Sequence, residues 1–388
     1  MGGRVRVWCL VAMVLLGVAG TALAQDATLA GTVKDSSGAV LPGVTVTAVH
    51  EASGNTFVAV TDQAGAFRLL MRTGSYRVTV ELAGFATVVR TANLLLGQTA
   101  AVTLEMAPST IQESVTVTGE APLLDTASSS LAGNIDPRQM QELPLNGRNW
   151  MDLAMLAPGS RQNQSGGVPL LRQGYSQINI DGQQVTNNYI GIGDDQPRFS
   201  RDSIAEFELL TNRFDATQGR SAGMIANAIT KSGTNALSGS VAGYFRDDAM
   251  NAKDKVQNVV LPYSNQQVST TLGGPIRKDR VHFFGNYEYE REPQVLVYSA
   301  TGPLAIFNQN IDAPRRQWTY GMKIDTQFSS NLRLSVRANG YEQNFYQGGG
   351  ATSHPSTAAS HQRFTRQQFG QMTWVLNSST VNVIKAGY

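Results

Sequence analysis

Four histidines and one cysteine are all that the chain offers for imidazole or thiol chemistry. Cys9 lies in an apolar N-terminal run. His50, His282, His354 and His361 fall in neither the H-x-x-E nor the H-E-x-x-H spacing that holds a catalytic zinc. His354 and His361 sit in a Gly/Ser-rich loop without an accompanying carboxylate, and no Ser/His/Asp set has recognisable spacing. A disulfide-stapled module, a Cys-rich zinc site and a cysteine enzyme are excluded. His50 reads as a surface histidine at a strand end. The sequence predicts no enzyme, no catalytic residue, no cofactor and no metal.

What remains is the chemistry of the backbone. The segment Glu113-Ser-Val-Thr-Val-Thr118 lies between Pro108 and Gly119, and its Val/Thr run favours extended structure. Such a segment can add to a partner's sheet edge, where backbone hydrogen bonds supply affinity and alternate side chains supply register. Glu113, Val115, Thr116, Val117 and Thr118 are the candidate contacts. The competing reading is one more strand of the preceding domain, or a plain linker.

The elements around it follow from composition and pattern. The chain has 388 residues, with 15% charged, against about 25% for a typical globular protein. Lys and Arg number 31 against 29 Asp and Glu, and both surplus charges, Arg4 and Arg6, lie in the first 24 residues. The remainder is neutral, which argues against nucleic acid as a partner. Residues 1–24 read as a signal peptide: Arg4 and Arg6, an apolar run from Val7 to Val18, then Ala22-Leu23-Ala24. Cleavage is expected between Ala24 and Gln25. No later segment has the 18 or more consecutive apolar residues of a candidate spanning helix. The mature chain is therefore soluble outside the cytoplasm, or enters a membrane as strands.

Residues 25–107 predict a seven-stranded β-sandwich, with strands over Ala27–Lys34, Val44–Val49, Phe57–Thr61, Ala66–Leu70, Ser75–Leu82, Ala86–Thr91 and Ala100–Met106. Asp35-Ser-Ser-Gly38 and Asp62-Gln-Ala-Gly65 suit type I turns, and Pro42-Gly43 a type II turn. Tyr76 and Phe85 read as core or corner aromatics. Gly31-Thr-Val-Lys-Asp35, Leu41-Pro-Gly-Val-Thr-Val46, Gly65-Ala-Phe67, Gly74-Ser-Tyr76 and Gly84-Phe85 resemble the carboxypeptidase regulatory-like domain. That resemblance implies a transthyretin-like sandwich, often grouped with carbohydrate-binding folds and without peptidase chemistry.

Residues 108–122 read as a linker, and a further domain follows over residues 123–235. Within it, Asp136-Pro137 predicts an N-capped short helix. Asn146-Gly147 and Asp181-Gly182 predict tight turns. Leu143-Pro-Leu-Asn-Gly-Arg-Asn149, Ile178-Asn-Ile-Asp181-Gly182 and Ala228-Ile-Thr-Lys-Ser-Gly-Thr-Asn235 resemble the plug of TonB-dependent outer-membrane receptors, in the Oar-like branch. The resemblance implies that residues 123–235 are an α+β plug domain and that Glu113–Thr118 is a TonB box, with the TonB C-terminal domain as its partner. Arg148, Arg213 and Arg220 are expected either to pair with acids on the barrel wall or to remain solvated.

Residues 236–388 alternate with period two. Leu332, Leu334, Val336, Ala338 and Gly340 oppose Arg333, Ser335, Arg337 and Asn339. Val281, Phe283, Gly285, Tyr287 and Tyr289 oppose His282, Asn286, Glu288 and Glu290, with Phe284 the exception. This pattern predicts part of an antiparallel transmembrane β-barrel, its apolar face toward outer-membrane lipid. Family barrels have about 22 strands, against some seven candidates here, so a piece of a longer receptor is expected. The leading reading is uptake of a large extracellular solute, with a glycan as one candidate. The alternative is a secreted or surface-attached carbohydrate-binding sandwich without transport.

Overall fold

The computed structural model describes residues 27–109, 115–116, 131–145, 148–157, 177–186, 198–212, 224–253, 260, 263–348, 353–377 and 380–388. The expected cleavage site, Glu113, Val117, Thr118, Asn146-Gly147, Arg213 and Arg220 lie outside these residues.

The sandwich consists of β1 (Ala27–Asp35), β2 (Thr45–His50), β3 (Thr56–Val60), β4 (Ala66–Met71), β5 (Gly74–Glu81), β6 (Val88–Leu94) and β7 (Thr99–Met106). One sheet runs β4-β1-β7 and the other β3-β2-β5-β6, to which β8 (Val115–Thr116) is added at the edge. Alternation in the sequence becomes alternation of burial: Tyr76, Val78 and Val80 face inward while Arg77 and Glu81 are exposed. Tyr76 is a core residue, its hydroxyl donating to the Arg72 carbonyl at 2.9 Å. Phe85 packs against the core from its rim. The turns form as their residues dictate, with Gly38, Gly43 and Gly65 in the left-handed region. The Asp35 and Asp62 carboxylates accept from amides in their own turns.

Next come β9 (Leu131–Ile135), α1 (Pro137–Glu142), a 3₁₀ segment over Trp150–Leu156, β10 (Gln177–Ile180), β11 (Gln183–Gln184), β12 (Ile204–Asn212) and β13 (Ile225–Thr230). The sheet order is β11-β10-β13-β12-β9. Helix α1 starts as its sequence requires. The Asp136 side chain accepts from the Gln139 amide, Gln139 answers in a capping box, and Pro137 occupies the first turn. Trp150, Leu153, Ile180, Phe207 and Leu209 form a second core, separate from that of the sandwich.

The last sheet comprises β14 (Ser238–Asp247), β15 (Ser264–Arg277), β16 (Val281–Glu292), β19 (Arg315–Gln327), β20 (Leu332–Gln347), β21 (Ala359–Asn377) and β22 (Thr380–Gly387), all antiparallel and paired in chain order. Between β16 and β19 lies a hairpin of β17 (Val295–Tyr298) and β18 (Gln309–Asp312), which the alternation pattern does not reveal. Burial is inverted relative to a soluble sheet. Arg337 is 3% exposed and His282 1%, while Val336 on the opposite face is 46% exposed. Phe284, the exception to alternation, is buried on the polar side. An apolar outer face and a polar inner face are what a lipid-embedded barrel wall requires. Among the described residues β14 and β22 are the edges of this sheet, so the barrel is unclosed.

Candidate functional site

The plug sheet rests on the polar face of β14–β20. Its main anchor is the β10–β11 turn, where Asp181 and Gly182 both take left-handed backbone, with φ of 48° and 83°. That turn points the Asp181 carboxylate at the barrel wall. Lys323 Nζ approaches one oxygen at 3.3 Å and Arg337 Nε the other at 3.4 Å. The Thr230 amide and hydroxyl donate to the same carboxylate at 2.9 and 2.6 Å. Burial alone would raise the Asp181 pKa, but the two cations and Thr230 outweigh it and hold the carboxyl below its ordinary value. Arg337 also donates to the Ile180 carbonyl and to Gln183, and Lys323 to the Thr230 carbonyl.

A second anchor centres on Asp202. Arg148 Nη2 lies 2.7 Å from its carboxylate, and Ser269 on β15 donates to the same oxygen at 2.6 Å. The Arg148 guanidinium also covers the ring of Tyr244 on β14, 3.7 Å from its centre. Burial works to raise the Asp202 pKa, whereas Ser269 and Arg148 prevail and lower it. Ser200 donates to Glu288 on β16 at 2.7 Å.

These contacts correct one expectation. Among the described residues Arg148 does not pair with a barrel acid. Its ion pair is with Asp202 inside the plug, and it meets the wall through Tyr244. At the main anchor the charges run the other way, with the acid on the plug and the cations on the wall. Sequence reading marked Asp181 only as a turn residue and Arg337 only as inward-facing, since neither pattern carries its partner. His50 also departs from its expected place. It is half-buried, with its ring 5.0 Å from that of Tyr76 and Nδ1 2.8 Å from the Ser53 hydroxyl.

Of the candidate contact segment, Val115 and Thr116 are placed. They pair in parallel with Val88 and Val89 of β6, as a further strand of the sandwich sheet. Chemically the arrangement is a seat for a movable body. The plug packs its apolar side chains on themselves, and the contacts to the wall described above are hydrogen bonds, ion pairs and a cation–ring contact. Water can take over such contacts in a way it cannot for an apolar core, at a net cost of about 0.5–1.5 kcal/mol per hydrogen bond and about 1.5–3 kcal/mol where a charge takes part.

A plug sheet seated on the polar face of a lipid-exposed antiparallel wall decides the architecture. The fold is that of a TonB-dependent receptor. Solved structures agree. The outer membrane transporter YddB from Escherichia coli superposes with a TM-score of 0.52 at 13% identity, covering 66% of this chain and 38% of that one. A mutant of the ferric enterobactin receptor PfeA from Pseudomonas aeruginosa gives 0.50 at 10% identity, covering 67% and 40%. Family models match a carboxypeptidase regulatory-like domain over residues 28–107 and an outer membrane beta barrel domain over residues 229–309. The TonB-dependent transporter Oar of Myxococcus xanthus is 29% identical over 295 residues, which is 69% of this chain and 27% of Oar. The chain thus spans about a quarter of the length of that relative. The resemblance to Oar-like TonB-dependent receptors holds, and the chain is an outer-membrane protein. The relatives are transporters and receptors rather than enzymes.

Proposed function

We propose that this chain acts in a TonB-dependent receptor that takes a large extracellular solute through the outer membrane, with TonB engaging Glu113–Thr118. In this reading the chain is exported with cleavage between Ala24 and Gln25. The polar seating of the plug through Asp181, Lys323 and Arg337 carries the proposal, because a plug held by exchangeable contacts can shift without exposing an apolar core. The fold group of the regulatory-like sandwich supports a carbohydrate-derived solute. The apolar outer face of the wall, with Val241, Phe245, Leu272 and Val336 exposed, speaks against a secreted sandwich without transport.

The experiment is a calorimetric titration of the TonB C-terminal domain with a peptide covering residues 109–120. A strand that pairs through its backbone must donate its amides, and proline removes one and crowds the neighbour. Val115→Pro and Val117→Pro should each abolish binding, whereas Val→Ile at either position should leave it within a few-fold. Equal affinity of both proline peptides and the native peptide would sink the assignment.

A further inference from the structure

We propose that the β-sandwich is a releasable latch on the barrel, docked over its periplasmic end and capping the space beneath the plug. The barrel connections fall into two classes. Residues 278–280 and 328–331 are tight turns at one end, whereas the stretches of chain joining β14 to β15, β16 to β19 and β20 to β21 at the other end are longer. Short turns mark the periplasmic end of outer-membrane barrels. The sandwich touches the short-turn end.

The contact has a built geometry. Arg72 on the sandwich pairs with Asp325 of β19 at 3.3 Å, and Asp325 is 3% exposed. Asn55 donates to the Asp279 carbonyl at 2.9 Å, in the turn between β15 and β16. The Asn235 amide donates to the Ala52 carbonyl at 2.8 Å, and the Asn235 side chain clasps Asp279 through both its atoms. Gln327 donates to the Thr56 carbonyl at 2.7 Å and Arg333 to the Leu70 carbonyl at 3.2 Å. Gly54 is required for this approach, since a Cβ there would overlap the Asp279 carboxylate.

Two features make the docking a latch rather than a fused core. The apolar clusters of sandwich and plug share no member, and the contacts between sandwich and barrel named above are hydrogen bonds and one ion pair, joined by Arg333 over the Phe57 ring. Interfaces of that kind between domains of one chain behave as transient ones. Above the latch lies a cavity of about 1010 Å³, walled by Arg72 and Thr73 of the sandwich, Asp181 and Lys231 of the plug, and Lys323 and Asp325 of the barrel. A solute leaving past a displaced plug meets the sandwich there. Because Val115 and Thr116 lie on β6, a pull on that segment loads the sandwich before the plug. This last consequence rests on Glu113–Thr118 being the TonB contact, whereas the latch itself does not.

Hydrogen exchange of the full chain in detergent tests the latch without TonB or solute. The Asn235 amide reports docking, since its acceptor is a sandwich carbonyl, and peptides over Tyr76–Glu81 report folding of the sandwich. Arg72→Asp should speed exchange at Asn235 at least tenfold while 76–81 stays protected. Adding Asp325→Arg should restore protection to within threefold. Gly54→Asn, which keeps the left-handed turn accessible but meets Asp279, should release the latch with the ion pair residues intact. The latch is refuted if Asn235 exchanges as fast in the native chain as in Arg72→Asp, or if the charge swap is no slower than the single change. It is equally refuted if every variant that frees Asn235 also loses protection over 76–81.

Discussion

The Asp181 carboxylate of the plug and the Arg337 guanidinium of the barrel wall lie 3.4 Å apart, and neither reaches solvent to any great extent. With Lys323 on the other carboxylate oxygen, one acid holds two wall cations. Asp181→Asn removes the counter-charge and leaves both cations buried. Breaking a buried pair from one side costs about 3–5 kcal/mol. Denaturant unfolding followed through Trp150, which sits in the plug core, should show an earlier plug transition. Adding Lys323→Met should recover part of the loss, and an unchanged midpoint in Asp181→Asn would show that the anchor contributes nothing.

The sandwich should weaken in acid through His50. Its pKa is held down to about 4, by burial first and then by the positive Arg72 and His282 nearby. The unfolded chain, with an ordinary value near 6.5, therefore binds more protons than the folded one between these limits. Stability from this source is complete above about pH 6.5, falls as pH drops through the window and levels off below about 4. Its size is up to about 3 kcal/mol from the shift and 1.36 kcal/mol per unit. Thermal melts of His50→Gln should be flatter across pH 4–6.5 than those of the native chain.

Glu206 gives the opposite slope. It is 1% exposed, lies near Thr73 and Leu96 of the sandwich, and neither carboxylate oxygen has a hydrogen bond of good geometry. Burial, with Asp136 and Glu208 adding to it, pushes its pKa up to about 7 despite Thr73 and Leu96. The folded chain thus binds the extra proton. The stability it gives is full below about pH 4.5 and is lost as pH rises through 7. Glu206→Gln should raise the melting temperature at pH 8 and change it little at pH 4. Equal shifts at both values would show that ionisation of Glu206 plays no part.

Gly31 on β1 marks a close approach inside the sandwich. A Cβ there would overlap the Val102 carbonyl of β7 and crowd the Phe67 ring. Gly31→Ala should cost about 1–3 kcal/mol by overpacking. Urea unfolding should show a lower midpoint with an unchanged slope, and a midpoint within error of the native chain would contradict this packing.

Much of the architecture is legible in the residues because it depends on neighbours along the chain. Arg333 and Arg337 alternate with Leu334 and Val336, and a pleated strand sends alternate side chains to opposite faces, so the wall could be read one strand at a time. Asp136-Pro137 and the Asp-to-Gly turns act over four residues and are equally local. The tertiary structure alone decided which faces meet. Asp181 finds Lys323 and Arg337, Arg148 turns back to Asp202, and Arg72 reaches Asp325, each across a long stretch of chain. Alternation says that a charge faces inward but not what stands opposite it. The same limit holds for Val115 and Thr116. Their β propensity marks them as a strand, while the open edge of β6 determines where that strand lies. Pairing between distant residues is set by how three bodies pack, a relation that no local pattern carries.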